Sequence, residues 1–304
     1  YAAFRALELK AGDRVLMPAH TFIATATSAM LAGLEPVFCD IDEQTCLLDL
    51  QKAKKILEKD PRIKAIVPVH LYGKALDMDR VMEMARQYRV FVVEDVAQAH
   101  GAYWGDRRVG SFGDLACFSF YPTKPLGALG EGGIVLTNNP ELARRVRAVR
   151  LHGILEEKYR HDLFGTNLKM EALQAAYLAL KLPRLDQANE RRRVIARRYV
   201  EAFQELPLVL PVWKGSEHAF HLFVIQTDQR DALQAFLKDK GIGVAIHYPF
   251  PVHKQPAMQD CVGADCPKAE AVTKRILSLP LFPEMTNEEV EEVITAVVSY
   301  FRND

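Results

Sequence analysis

The 304-residue sequence has no excess of either charge: 39 Lys and Arg stand against 39 Asp and Glu. Without a chain-wide positive field there is no general attraction for nucleic acid, and none is expected as a partner. Cysteine is scarce. Five residues, Cys39, Cys46, Cys117, Cys261 and Cys266, are an odd number at low density. That excludes a disulfide scaffold and fits a reducing compartment, so a cytoplasmic location is expected. No apolar run approaches the roughly 18 residues of a membrane span, and the opening residues lack a signal-peptide pattern. Repeats and low-complexity tracts are missing too. What remains is the profile of a soluble chain with room for one large or two modest domains.

What is present is an alternation of short apolar strands and helices. Strands are expected at residues 14–17, 36–39, 64–69 and 90–93, with helices at 21–31, 48–58 and 78–88 between them. Such alternation predicts parallel strands joined by crossover helices. Residues 1–9 already have helical spacing, with Gly12 as a stop. Later come a strand ending near Ser119, a strand at 134–137, a basic helix at 140–151, an apolar helix at 170–182 and a long charged helix from Pro183 to about Leu206. Residues 1–182 are therefore expected to form a large domain, and 183–304 a connector helix with a smaller α/β domain. In the latter, strands at 221–226 and 244–247 alternate with helices at 231–240, 267–277 and 287–301.

Two stretches concentrate chemistry. Lys124 lies in a loop between two strands, followed by Pro125, which disfavours helical backbone at the lysine. Gly127, Gly130, Gly132 and Gly133 then offer backbone conformations that other residues resist, so the chain can close around a bound object. In the other stretch, the apolar run Val90-Phe-Val-Val93 ends on Glu94-Asp95. Ligands of open α/β sheets sit outside such strand ends. A lone loop lysine is ordinarily a solvated charge. An aspartate at one strand end with a lysine just past another supplies the two groups that a pyridoxal phosphate (PLP) site requires, an amine for the aldehyde and an acid for the pyridinium nitrogen.

Three rival patterns are weaker. Gly127-Ala-Leu-Gly130-Glu-Gly132 precedes a strand instead of opening a helix, the wrong context for a dinucleotide fingerprint. Asp40 and Asp42 could hold a divalent cation, but stabilising a turn is the expectation. His247, His253, Cys261 and Cys266 lack compact zinc spacing, and no metal is expected.

The motifs Glu94-Asp95-Val-Ala-Gln98-Ala-His100-Gly101, Gly110-Ser-Phe-Gly-Asp114, Ser119-Phe-Tyr-Pro-Thr-Lys124 and Gly130-Glu-Gly-Gly133 resemble the DegT/DnrJ/StrS family. These are fold-type-I, PLP-dependent aminotransferases of nucleotide-linked keto sugars. Pro18-Ala-His-Thr-Phe22-Ile-Ala-Thr25, Val69-His-Leu-Tyr-Gly73, Gly165-Thr-Asn167 and His247-Tyr-Pro-Phe-Pro-Val-His253 extend the resemblance over nearly the whole chain. It implies an α/β fold, with a large domain built on a mostly parallel sheet covered by helices and a smaller C-terminal domain. It implies that Lys124 holds PLP and moves the proton, that Asp95 pairs with the ring nitrogen, that Gln98 bonds near the ring hydroxyl and that Ser119 binds the phosphate. Asn167 would reach the phosphate of the neighbouring subunit's cofactor, which requires a homodimer. His247 and Tyr248 would lie near the substrate. Phe22 by itself reads either as core or as a stacking surface; the resemblance implies stacking on PLP.

The implied amino donor is L-glutamate, and the run 121–130 resembles members acting at the sugar 3-position. A non-catalytic regulator or binding module is the alternative. The family's dehydratases carry a histidine where this chain has Lys124. Because helical spacing begins at Tyr1, the chain is also expected to lack the Gly-Thr or Gly-Ser segment with which the family holds the PLP phosphate at a helix amino terminus, and hence to bind PLP weakly.

Overall fold

A computed structural model describes residues 1–259, 261 and 265–302. In chain order its strands are β1 (Arg14–Pro18), β2 (Glu35–Cys39), β3 (Ile63–Ile66), β4 (Phe91–Asp95), β5 (Tyr103–Trp104), β6 (Arg107–Arg108), β7 (Leu115–Ser119), β8 (Gly133–Leu136), β9 (Phe223–Gln226) and β10 (Ile276–Leu279). Six of them form one sheet in the order β2-β1-β3-β4-β7-β8, parallel throughout except that β8 runs antiparallel to β7. Val15, Leu16, Met17, Ala65, Ile66 and Val92 have no exposed surface, as strands covered on both faces require. Some of the covering helices begin where the sequence supplies a cap. Asp49 accepts from the Gln51 and Lys52 N–H groups ahead of Leu50–Lys59, and Asn139 from Glu141 and Leu142 ahead of Pro140–Arg150. The expected α/β architecture is present.

Glu94 anchors the end of β4 from beneath. Strand alternation sends its side chain to the face opposite that of Asp95, and it is fully buried. Its Oε1 accepts from the N–H groups of Phe112 and Gly113, both at 2.8 Å, and its Oε2 from Gly110 N–H at 2.7 Å. His70 Nδ1 accepts from Leu76 N–H at 3.1 Å, which leaves the ring proton on Nε2 to be donated to Glu94 Oε2 at 3.2 Å. Burial pushes the Glu94 carboxyl upward, but His70 and the Gly113 and Gly110 N–H groups outweigh it and hold the carboxyl below its ordinary value. At Gly110, φ is +89° and an added Cβ would lie 2.5 Å from the Phe118 ring, so no side chain fits there.

A second apolar cluster gathers Tyr199 and Phe203 of the helix Leu185–Phe203 with Phe223, Ile225, Leu277, Val290 and Val293, around the antiparallel pair β9–β10. Several segments depart from the sequence expectation. The first helix is only Ala2–Ala6 and ends well before Gly12. Glu8 turns to φ +55°, and its carboxylate pairs with Arg145. Residues 244–247 make one bridge, Ala245 to Ser278, in place of a strand. The helix expected at 267–277 stops at Val272, and Ile276–Leu279, buried throughout, pairs with β9. A short apolar run is ambiguous between helix and strand, and here the available edge of β9 decides it. The hairpin β5–β6, turning at Gly105 with φ +60°, has no counterpart in the expectation.

Asp40 and Asp42 act as turn and helix caps. Asp40 accepts from Ala269 N–H at 2.9 Å and from Lys52 Nζ at 2.7 Å, and Asp42 from the N–H and hydroxyl of Thr45. Among the described residues, no three of His, Cys, Asp and Glu group so as to hold a metal ion, and no helix is long and apolar enough to cross a membrane.

His20 and His100 are buried, at 0% and 2% exposure. Burial lowers His20 to about 4; burial, reinforced by the charge of Lys124, lowers His100 to about 3. The unfolded chain takes up these protons near 6.5, the folded chain only near those lower values. Stability is therefore lost as pH falls below 6.5, by up to about 1.4 kcal/mol per pH unit for each group. His20→Gln keeps a donor for Tyr72 and cannot titrate, so it should flatten the fall between pH 6.5 and 4. Urea midpoints at pH 7, 6 and 5 measure this, and an unchanged slope would count against His20 as a cause.

Candidate active site

The carboxyl ends of β1, β4 and β7 open into one hollow of about 530 Å³. Neighbouring parallel strands necessarily deliver the loops that follow them to the same side of the sheet. Phe22, Asp95, Gln98, Ser119, Lys124, His247 and Tyr248 all line this hollow. Asn167 does not. It is exposed, bridges Leu151 and accepts from Lys169 N–H at 3.3 Å.

After β1 the chain presents Thr21 and then Phe22. The Phe22 ring is 54% exposed and stands 5.5 Å from that of Tyr248, so an apolar flat face looks into the hollow. β4 ends on Asp95, whose Oδ1 accepts from Ala97 N–H at 3.1 Å and whose Oδ2 accepts from Thr25 Oγ1 at 2.8 Å. Gln98 is buried, and its amide is oriented by its partners: Oε1 accepts from Tyr72 N–H at 2.6 Å, and Nε2 donates to Tyr248 Oη at 3.0 Å. Tyr72 Oη donates to the His247 carbonyl at 2.6 Å and must therefore accept from His20 Nε2–H, also at 2.6 Å. One tyrosine thus clips residues 247–248 to the strand ends.

The loop carrying Lys124 leaves β7 at Ser119. It is closed by Phe120 N–H to Gly132 O, Ala128 N–H to Phe120 O, each 2.8 Å, and Lys124 N–H to Tyr121 O at 2.9 Å. At Gly127 an added Cβ would lie 2.2 Å from Pro122 O. Glycine is demanded there by space and not by conformation, a correction to the sequence expectation: none of Gly127, Gly130, Gly132 and Gly133 is among the residues with positive φ.

Burial lowers the Lys124 ammonium, with the Asp95 charge opposing. Burial and then the Lys124 charge lower His247 and, more strongly, His221, which also lines the hollow. Burial first and the Asp95 charge second push Tyr248 up to about 12, with Gln98 opposing, so its hydroxyl stays protonated. The arrangement offers an amine with weakened proton affinity, a fixed carboxylate, a stacking face and several hydroxyls. A cleft of about 630 Å³ elsewhere is lined by two lysines, Lys74 and Lys214; the Lys74 amine donates to Val212 O at 2.7 Å.

Thr25, Tyr72 and His221 escape the sequence analysis as site residues. Thr25 follows Thr21 by four, the spacing of one helical face, and that signal could have found it. His221 sits among apolar neighbours in a segment that reads as core, and nothing local marks it.

Residues 1–298 match the DegT/DnrJ/EryC1/StrS aminotransferase family. The chain is 42% identical to a UDP-N-acetyl-3-dehydro-alpha-D-glucosamine 3-aminotransferase of Acidithiobacillus ferrooxidans, over 97% of this chain and 79% of that protein. It is 40% identical to a pleiotropic regulatory protein of Geobacillus stearothermophilus, over 100% of this chain and 82% of that one. A DegT/DnrJ/EryC1/StrS aminotransferase from Brucella abortus has a solved structure that superimposes with a TM-score of 0.94 at 34% identity, covering 99% of this chain and 83% of that one.

The opposed influences on Lys124 give a prediction that needs no ligand. In competitive acetylation followed by peptide mass analysis, the Lys124 amine should become reactive at lower pH than an ordinary lysine. Asp95→Asn removes the opposing charge and should move the midpoint lower still. A midpoint that rises in that variant would refute the coupling.

Proposed function

This chain belongs to the DegT/DnrJ/EryC1/StrS aminotransferase family, and on that premise we propose that it moves an amino group from L-glutamate to a nucleotide-linked keto sugar, serving amino-sugar and polysaccharide biosynthesis. The family's cofactor is pyridoxal 5′-phosphate. The residues present fit it: an amine that burial makes easier to deprotonate, a carboxylate at a strand end, an exposed flat ring and a serine hydroxyl share one hollow. The pairing of Lys124 with Asp95 carries the reading. It also favours catalysis over the regulatory alternative that the name of the Geobacillus relative raises.

In this proposal Lys124 Nζ anchors the cofactor. Asp95 faces its ring nitrogen, Phe22 stacks on its ring, and Gln98 offers its remaining amide N–H near the ring hydroxyl. Ser119 and the partner subunit's Asn167 bind its phosphate. When bound, PLP supplies an electron sink for a carbon that loses its proton. Lys124 Nζ, less readily protonated than an ordinary lysine, takes that proton and returns it to the neighbouring carbon. Asp95 supplies the negative charge that keeps a proton on the ring nitrogen. His247 and Tyr248 meet the sugar nucleotide, for which a 3-keto sugar is the first choice, in line with the Acidithiobacillus relative.

A division into a PLP-binding domain, 1–182, and a connector helix with a small domain, 183–304, is supported by an apolar cluster drawn wholly from residues 195–297, although the cluster around the main sheet also takes in Val252, Met258, Ala269, Val272 and Ile276. A homodimer is supported by apolar side chains left outside, Phe164 at 73%, Leu173 at 68% and Leu180 at 76% exposure, and by the edge strand β8, which carries the exposed Ile134 and Leu136. A cytoplasmic location is proposed from the low cysteine content, five in 304 residues.

The deciding experiment is borohydride reduction of the protein mixed with PLP, followed by peptide mass analysis. The cofactor should be trapped on Lys124, and Lys124→Ala should lose both the link and all but a trace of amino transfer to UDP- and dTDP-linked 3-keto sugars. Full turnover by the alanine variant would overturn the assignment. The sharing of Asn167 has its own check: mixed dimers of Lys124→Ala and Asn167→Ala chains should recover part of the activity that each parent lacks, because one of their two sites is intact. No recovery in verified mixed dimers would refute the sharing.

A further inference from the structure

Asp95 is held by more than its place at the end of β4. Its two oxygens are tied by donors from different elements, Oδ1 by the Ala97 N–H of the following turn and Oδ2 by Thr25 of the helix Ala24–Leu31. Thr25 Oγ1 also lies 3.0 Å from Thr21 Oγ1. A hydroxyl has one proton to give. Having given it to Asp95, Thr25 can only accept from Thr21, and the direction of the chain follows: Thr21 donates to Thr25, and Thr25 donates to Asp95. Thr21 and Thr25 are 2% and 7% exposed, so water competes little for these bonds, although both residues edge the hollow.

We infer that Thr25, backed by Thr21, is a positioning residue for Asp95, fixing the plane of its carboxylate so that one acceptor site on each oxygen remains for the hollow. This rests on the proposed role of Asp95 beside the ring nitrogen of PLP. Without Thr25 the carboxylate keeps only the Ala97 bond and is free to turn about its last torsion. A bond to a charged acceptor of this kind is worth roughly ten- to a hundredfold in an equilibrium constant. Methyl groups on the two threonines can still pack, so the hydroxyls are the part of these side chains that the inference concerns.

The test uses the full chain loaded with PLP, with Thr25→Val, Thr25→Ser and Thr21→Val. Two quantities are read besides activity: the PLP dissociation constant and the pH dependence of the visible band of the bound cofactor. In Thr25→Val the dissociation constant should rise about tenfold or more and the pH response of the band should shift, while thermal unfolding stays close to wild type. Thr25→Ser, which restores the hydroxyl, should recover both. If Thr25→Val does not fold, Thr21→Val carries the test, with a smaller change in the same direction. Wild-type values of both quantities in whichever valine variant folds would overturn the inference, and so would a serine variant as impaired as the valine. A wild-type chain that gives no visible band and no trapping on Lys124 would instead overturn the reading of the site on which this rests.

Discussion

Everything at this site hangs on two adjacent acids that the strand forces apart. In β4 the alternation of side chains sends Glu94 into the protein and Asp95 toward the hollow. The buried acid accepts three backbone N–H groups and His70, and in doing so it holds the 110–113 turn against the sheet. That turn leads directly into β7, and β7 into Ser119 and the lysine loop. Removing the inner carboxylate would leave three N–H groups and a histidine without their acceptor in a dry interior, a heavy cost for a single side chain. The outer carboxylate accepts only one N–H and one hydroxyl, from Ala97 and Thr25, and so keeps acceptor capacity to spare.

The later part of the chain brings His221, His247 and Tyr248 to the hollow. Residues 247–248 are tied to the strand ends in part by the hydroxyl of Tyr72, which accepts a hydrogen bond from His20 and donates one to the His247 carbonyl. The same residue uses its backbone N–H to orient Gln98, and Gln98 then addresses Tyr248. Tyr248 accepts that bond and keeps its own proton, so this wall offers an O–H donor to whatever enters. The polarity of the wall follows from counting protons along four side chains.

Much of this was legible in the sequence. The parallel sheet follows from the alternation of apolar strands with capped helices, and seven of the eight proposed site residues share one hollow because strand ends in such a sheet must converge. The second half was harder to read. Ile276–Leu279 is apolar in a way that suits helix or strand, and only its distant partner β9 settles which. The glycines after Lys124 suggest conformational freedom, whereas Gly127 is dictated by the approach of Pro122 O, a contact no local pattern reveals. His221 and the clip at Tyr72 depend on contacts between segments separated by more than a hundred residues. Asn167 stands outside the hollow of its own chain.

The desolvated amine of Lys124 has a consequence beyond transamination. A lysine that holds its proton less tightly than usual, lining a hollow of about 530 Å³, offers the same nucleophilic nitrogen to any aldehyde small enough to enter. Until a specific occupant fills the space, small reactive carbonyl compounds have access to the same nitrogen, and only the shape of the surrounding walls discriminates against them. Occupancy is therefore a form of chemical protection, and a protein of this design is at its most vulnerable between synthesis and the arrival of its cofactor.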